Sequence, residues 1–171
     1  MFVLGIDPGL SRCGYGCIGS HRSGPRVVAL GVVRTASSTP LPERLAELQR
    51  ELRALISELA PDVVAVERVF FQTNVRTAMS VGQASGLAMA EASVAGCEVV
   101  QYSPNEVKLA VAGDGRAGKP EMQRMVQVLL GLEAVPRPPD AADAAALALC
   151  HLAHAPMRRR VDAATARAIA R

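Results

Sequence analysis

Two short apolar runs, each ending in an acid, constrain this chain most. In "FVLGID" Phe2, Val3, Leu4 and Ile6 lead to Asp7, and in "DVVAVE" the run Val63 to Val66 leads to Glu67. Runs without polar alternation read as strands buried on both faces, and a bare carboxylate at the end of such a strand costs several kcal/mol unless it is partnered. Both strands therefore belong inside a sheet, and both acids need company.

The rest of the chain supplies the sheet and its cover. Pro8, Gly9 and two further glycines read as a turn, after which "CIGS" and "RVVALGVVRT" read as antiparallel strands. In "PERLAELQRELRALISELA" Leu45, Leu48, Leu52, Leu55, Ile56 and Leu59 recur at helical spacing up to Pro61. "TNVRTAMSVGQASGLAMAEASVAG" predicts a long helix with a stripe of Ala78, Gly82, Gly86 and Ala90, read first as packing within the chain and second as a subunit contact. "EVVQYS" follows as a strand, and "PNEVKLAV" and "PEMQRMVQVLLG" as helices around the flexible turn "AGDGRAGK". After the break "AVPRPPD", "DAADAAALALCHLAHA" predicts a last, alanine-rich helix. Three strands, then alternating helix and strand, indicate one α/β domain with a mixed sheet over residues 1–155 and a basic, disordered tail over 156–171.

Composition narrows the function. At 171 residues, half of them apolar, the chain fits a single core, and no stretch approaches the roughly 18 apolar residues of a membrane span. The N-terminal residues lack the pattern of a secretory signal, and Cys13, Cys17, Cys97 and Cys150 lack zinc or C-x-x-C spacing, so packed, reduced thiols in a cytoplasmic protein are expected. The net charge of +3 is uneven: from Pro156 onward there are five arginines and one aspartate, leaving 14 bases against 15 acids before it. A body of net charge −1 suits an anionic polymer only if its bases are grouped or its acids are neutralised by metal.

The acids can meet. Asp7 and Glu67 stand at the carboxyl ends of their strands, where open α/β sheets collect their sites. Asp140 and Asp143, three apart at the head of the last helix, share a face of it, although helix capping alone would also favour acids there. Four clustered carboxylates repel unless protons or cations lie between them, and hard oxygen donors suit Mg²⁺ or Mn²⁺. Two such ions, about 4 Å apart, would activate a water and stabilise a phosphoryl transition state.

The segments "GIDPGLSRCGYG", "VERVFFQTN", "VGQASG", "PNEVKLAVAGDGRAGK" and "RPPDAADAAALALCH" resemble, in order from residue 1 to about 155, the bacterial RuvC family of Holliday-junction resolvases. The resemblance implies an RNase H-like fold with a mixed five-stranded sheet flanked by helices, and a homodimer. It also implies metal-dependent nicking of two opposed strands of a four-way DNA junction. Its catalytic, metal-holding carboxylates fall on Asp7, Glu67, Asp140 and Asp143; some relatives carry histidine where this chain has Asp140. It further suggests cooperation with a branch-migration complex of the RuvA–RuvB type. Water, directed by two ions with Asp7 bridging them, would leave a 5′-phosphate and a 3′-hydroxyl.

Against 17 arginines the chain has only two lysines, Lys108 and Lys119, flanking the glycine-rich turn between two helices. A compact ammonium acting as a point charge on phosphate would account for that choice, and two ordinary surface lysines are the alternative; the resemblance matches both to lysines near the scissile DNA, which implies Lys119 or Lys108 serving catalysis and both serving DNA binding. Of Phe70 and Phe71, just after Glu67, the family pattern favours Phe70 to stack on an unpaired base. Arg76 is open between phosphate contact and solvation. His151 and His154, spaced H-x-x-H, read as residues favouring the negative end of a late helix rather than as metal ligands. Rival functions are a nuclease of RNA or RNA–DNA hybrid, a noncatalytic junction-binding scaffold, and an ATP phosphotransferase of the sugar-kinase and actin type, which needs two such domains.

Overall fold

The computed structural model is described over residues 1–69 and 75–169, and its side chains over 1–69 and 78–155. Five strands, β1 (Phe2–Asp7), β2 (Arg12–His21), β3 (Gly24–Arg34), β4 (Val63–Glu67) and β5 (Glu98–Tyr102), form one sheet in the order β3-β2-β1-β4-β5. β1, β2 and β3 pair antiparallel, whereas β4 lies parallel to β1 and to β5. The mixed five-stranded sheet expected from the sequence is therefore present, with β1 at its centre.

Helices cover both faces. Alternation along β1 and β4 sends Leu4, Ile6, Val64 and Val66 to one side, where they meet Leu48, Leu52 and Ile56 of α1 (Leu41–Leu59) and Ala84, Ala88 and Ala92 of α2 (Val75–Val94). Each large aliphatic side chain fully buried there stabilises the fold by roughly 1.5–3 kcal/mol. Val3, Val63, Ala65 and Val100 face the other side, beneath α3 (Pro104–Ala112), α4 (Lys119–Leu130) and α5 (Pro139–Ile169).

α5 crosses β1, β2, β3 and β4, and it can do so closely because glycine faces it. A Cβ on Gly5 would stand 1.9 Å from the carbonyl oxygen of Ala144, one on Gly14 2.1 Å from that of Asp140, and one on Gly16 2.8 Å from the amide nitrogen of Ala145. Gly5 and Gly16 are register partners, as are Asp7 and Gly14, so the three form a shelf across two strands. Buried Ala141, Ala144, Ala145 and Ala148 line the helix above it. Among the described residues, no helix is long and apolar enough to cross a membrane.

Four expectations change. Gly14 and Gly16 lie within β2 and not in a turn, because β2 begins at Arg12 and needs small residues under α5. The stripe on α2 does not pack within the chain: Gly82, Gly86 and Ala90 are exposed and Ala78 is half-buried, while the buried face carries Ala84, Ala88 and Ala92. The backbone of α5 continues past residue 155 to Ile169 where a disordered tail was expected, in keeping with the helix propensity of its alanines and arginines. His151 and His154 are consequently not at a helix end. His151 is buried and shares a 2.9 Å hydrogen bond between its Nδ1 and the Tyr102 hydroxyl, and His154 stacks on the Tyr102 ring. Cys13, Cys17 and Cys150 are buried, and burial pushes the Cys13 thiol up to about 12.

Candidate active site

The parity that puts Val3 and Gly5 under α5 also puts Asp7 there, and Glu67 follows Val63 and Ala65 to the same face. Parallel pairing runs to Ile6 opposite Val66, so the two acids stand side by side at the carboxyl ends of neighbouring strands. Pairing of β4 with β5 reaches Glu67 opposite Tyr102, and the Arg68 amide donates to the Tyr102 carbonyl at 2.8 Å, fixing the backbone on both sides of Glu67.

The loop after Asp7 is tied down by a residue the sequence did not single out. Arg44 of α1 donates through Nε to Thr35 Oγ1 at 3.0 Å and through Nη2 to Ser11 Oγ at 2.5 Å. Thr35, itself buried, donates to the Leu10 carbonyl at 2.6 Å. No motif spacing links positions 10, 35 and 44, so only the folded sheet brings them together.

Asp140 and Asp143 enter from above, at the head of α5, where the Gly14 contact holds the helix against the strand bearing Asp7's register partner. The opposite wall comes from α3 and α4. A capping box starts α3: the Glu106 amide donates to Ser103 Oγ at 3.3 Å and the Ser103 amide donates to Glu106 Oε2 at 2.7 Å. The Ser103 hydroxyl, which donates to the same Oε2 at 2.7 Å, and after it the Ser103 amide hold the Glu106 carboxyl below its ordinary value. Lys119 is the first residue of α4, where the helix dipole disfavours a cation. Its Nζ lies 2.8 Å from Asp143 Oδ2, and that contact offsets the dipole and raises the Lys119 pKa.

Between these elements opens a cleft of about 250 Å³ bounded by Asp7, Glu67, Lys108, Lys119, Met122 and Asp143. Five of the residues singled out in the sequence are thus in one place. Asp140 stands beside them, close enough to act on Asp7, with its own carboxylate accepting from Arg12 Nη2. Phe70 lies outside the described residues, as does the side chain of Arg76.

Electrostatics single out Asp7. Burial first, then Glu67, Asp143 and Asp140, push its carboxyl up to about 7, with Lys119 opposing. Glu67 is raised as well, by burial and then Asp143. A half-buried carboxyl among like charges is short of positive charge, and the donors are all hard oxygens, a set that fits Mg²⁺-class ions. Among the described residues, no three His, Cys, Asp or Glu side chains are already gathered as ligands: Asp143 is turned to Lys119 and Asp140 to Arg12.

Known proteins similar in sequence and shape point one way. Residues 3–151 match the family model described as "Crossover junction endodeoxyribonuclease RuvC". A relative of that name from Salinispora arenicola is 52% identical over 169 residues, covering 98% of this chain and 97% of its own. The solved RuvC of Thermus thermophilus superposes with a TM-score of 0.85 at 38% identity, over 92% of this chain and 96% of that one. A structure of T. thermophilus RuvC in complex with Holliday junction substrate superposes with a TM-score of 0.84 at 35% identity, over the same shares.

Proposed function

The chain belongs to the RuvC family of crossover junction endodeoxyribonucleases, and on that premise we propose that it resolves Holliday junctions through the carboxylates gathered at the end of β1. Its RNase H-like fold and metal dependence are those of the family. The substrate is a four-way DNA junction, nicked symmetrically in two opposed strands during recombination and repair. A noncatalytic scaffold or a nuclease of RNA–DNA hybrid is not favoured.

The observation that carries the reading is the raised, half-buried carboxyl of Asp7, facing three other carboxylates and one ammonium. Asp7, Glu67, Asp140 and Asp143 would hold Mg²⁺, with Mn²⁺ substituting and two ions per site. When bound, the metal supplies Lewis-acid stabilisation of the phosphate and an activated water. Asp7 must be ionised to hold an ion, so a proton it carries would be released to solvent when metal binds. Lys119 moves from Asp143 alone to a position shared with the phosphate, where its ammonium balances charge developing on the non-bridging oxygens. Lys108, on the cleft wall, docks the backbone of the cut strand. Water attacks phosphorus, the bond from phosphorus to the 3′ oxygen breaks, and the products carry a 5′-phosphate and a 3′-hydroxyl.

Paired nicks require two sites related by a twofold axis, hence a homodimer. The exposed face of α2 suits it: a Cβ on Gly82 or Gly86 would meet nothing within 4 Å, leaving room for a second copy's backbone. Cytoplasmic action alongside a branch-migration complex of the RuvA–RuvB type completes the proposal.

The test uses a mobile synthetic four-way junction, duplex DNA and an RNA–DNA hybrid, each with and without Mg²⁺. Junction cleavage should dominate, require the ion, and fall at least about 100-fold in Asp7→Asn while metal-free junction binding persists. Undiminished cleavage by Asp7→Asn would remove the assignment.

A further inference from the structure

We infer that Arg12 is a built-in competitor of the metal, a guanidinium that holds Asp140 in the ion-free enzyme and must be displaced when the site loads. The inference rests on the nuclease reading above and adds a residue that does not line the cleft.

Arg12 Nη2 donates to an oxygen of Asp140, one of the four carboxylates. The pairing follows from the backbone. Arg12 and Gly14 are two apart on β2 and so point to the same face, and Gly14 is the residue whose missing Cβ lets the Asp140 backbone sit on the strand. The side chain of Arg12 thus begins one strand step from the head of α5. Arg34 stands opposite Arg12 in the β2–β3 register, and like charges directly opposed are unfavourable, so Asp140 also relieves a clash of cations.

Arg12 has the same relation to Asp140 that Lys119 has to Asp143, yet the two cations differ in place. Lys119 bounds the cleft, where it can keep acting once an ion arrives. Arg12 reaches Asp140 from the far strand, across the sheet from β4 and Glu67. A divalent ion drawing Asp140 toward Asp7 takes it from Arg12. The side chains are 48% and 24% exposed, so the pair is partly screened and its competition modest.

The full-length protein is titrated with Mn²⁺ alone by calorimetry, without DNA. Arg12→Gln should bind Mn²⁺ about three- to tenfold more tightly than wild type. Arg12→Lys, which keeps the charge but loses the fork, should fall between them and serves as the reading should Arg12→Gln not fold. With Asp140→Asn in both proteins, the Arg12→Gln gain should vanish. Wild type that binds Mn²⁺ no less tightly than either folded variant would overturn the competitor role and leave the nuclease reading standing. Failure of wild type and variants alike to bind Mn²⁺ would bring down both.

Discussion

On one face of the sheet Leu48, Leu52 and Ile56 of α1 press large side chains onto Leu4, Ile6, Val64 and Val66; on the other, α5 meets glycine with alanine. The first face is held by buried apolar area, and no proposed ion-binding carboxylate emerges from it. The second brings helix and strand backbones nearly into contact, and all four carboxylates lie at its edge. A helix kept at ordinary distance by leucines would hold Asp140 and Asp143 farther from Asp7. Closeness here serves charge, and bulk on the far side serves stability.

The strongest attempt to break that contrast is Gly5→Val. With backbone and no flexible side chain in the way of its Cβ, it should cost more than about 4 kcal/mol, read as loss of the cooperative thermal transition. A variant that melts like wild type would mean that the close approach is not needed. Leu52→Ala, in the bulky face, should cost about 2–5 kcal/mol in urea unfolding yet leave junction cleavage per folded molecule unchanged. A parallel loss of cleavage would show that the two faces are not separable.

A pH series sharpens the contrast. Because the folded state holds the Asp7 proton up to about 7 while the unfolded chain releases it near 3.8, the folded state binds more protons between those values. Stability of the metal-free protein should therefore fall as pH rises from about 4 to 7 and level off above that, by about 1–2 kcal/mol after allowance for partial exposure. Glu67, also raised, adds to the same slope. Mg²⁺ should flatten it, and Asp7→Asn should remove most of it; a slope unchanged in Asp7→Asn would place its origin elsewhere. The smallest effect belongs to α2. Gly82→Ala, on an open helix face, should raise monomer stability by about 0.5–1 kcal/mol while weakening self-association in sedimentation.

The bulky face was legible in the sequence because leucines at helical spacing and unbroken valines announce themselves. The glycine face was not. Glycine reads first as a turn, and nothing in "RCGYGC" says that a helix more than 120 residues later will rest on it. The carboxylates were legible as unexplained charges at strand ends, but Arg12 and Arg44 were hidden among 17 arginines, since their partners are set by register and not by spacing. The α2 stripe was recognised and turned the wrong way: small residues at every fourth position indicate a close approach without saying which face makes it.

Asp7 and Glu67 are translated early, whereas Asp140 and Asp143 arrive near the end of synthesis on a helix that must seat itself on the glycine shelf. A nascent chain on the ribosome can pair β1, β2 and β4 and still own only half of its acids. On the proposed assignment, the ion-binding set is complete only once that last helix has docked on the glycine shelf.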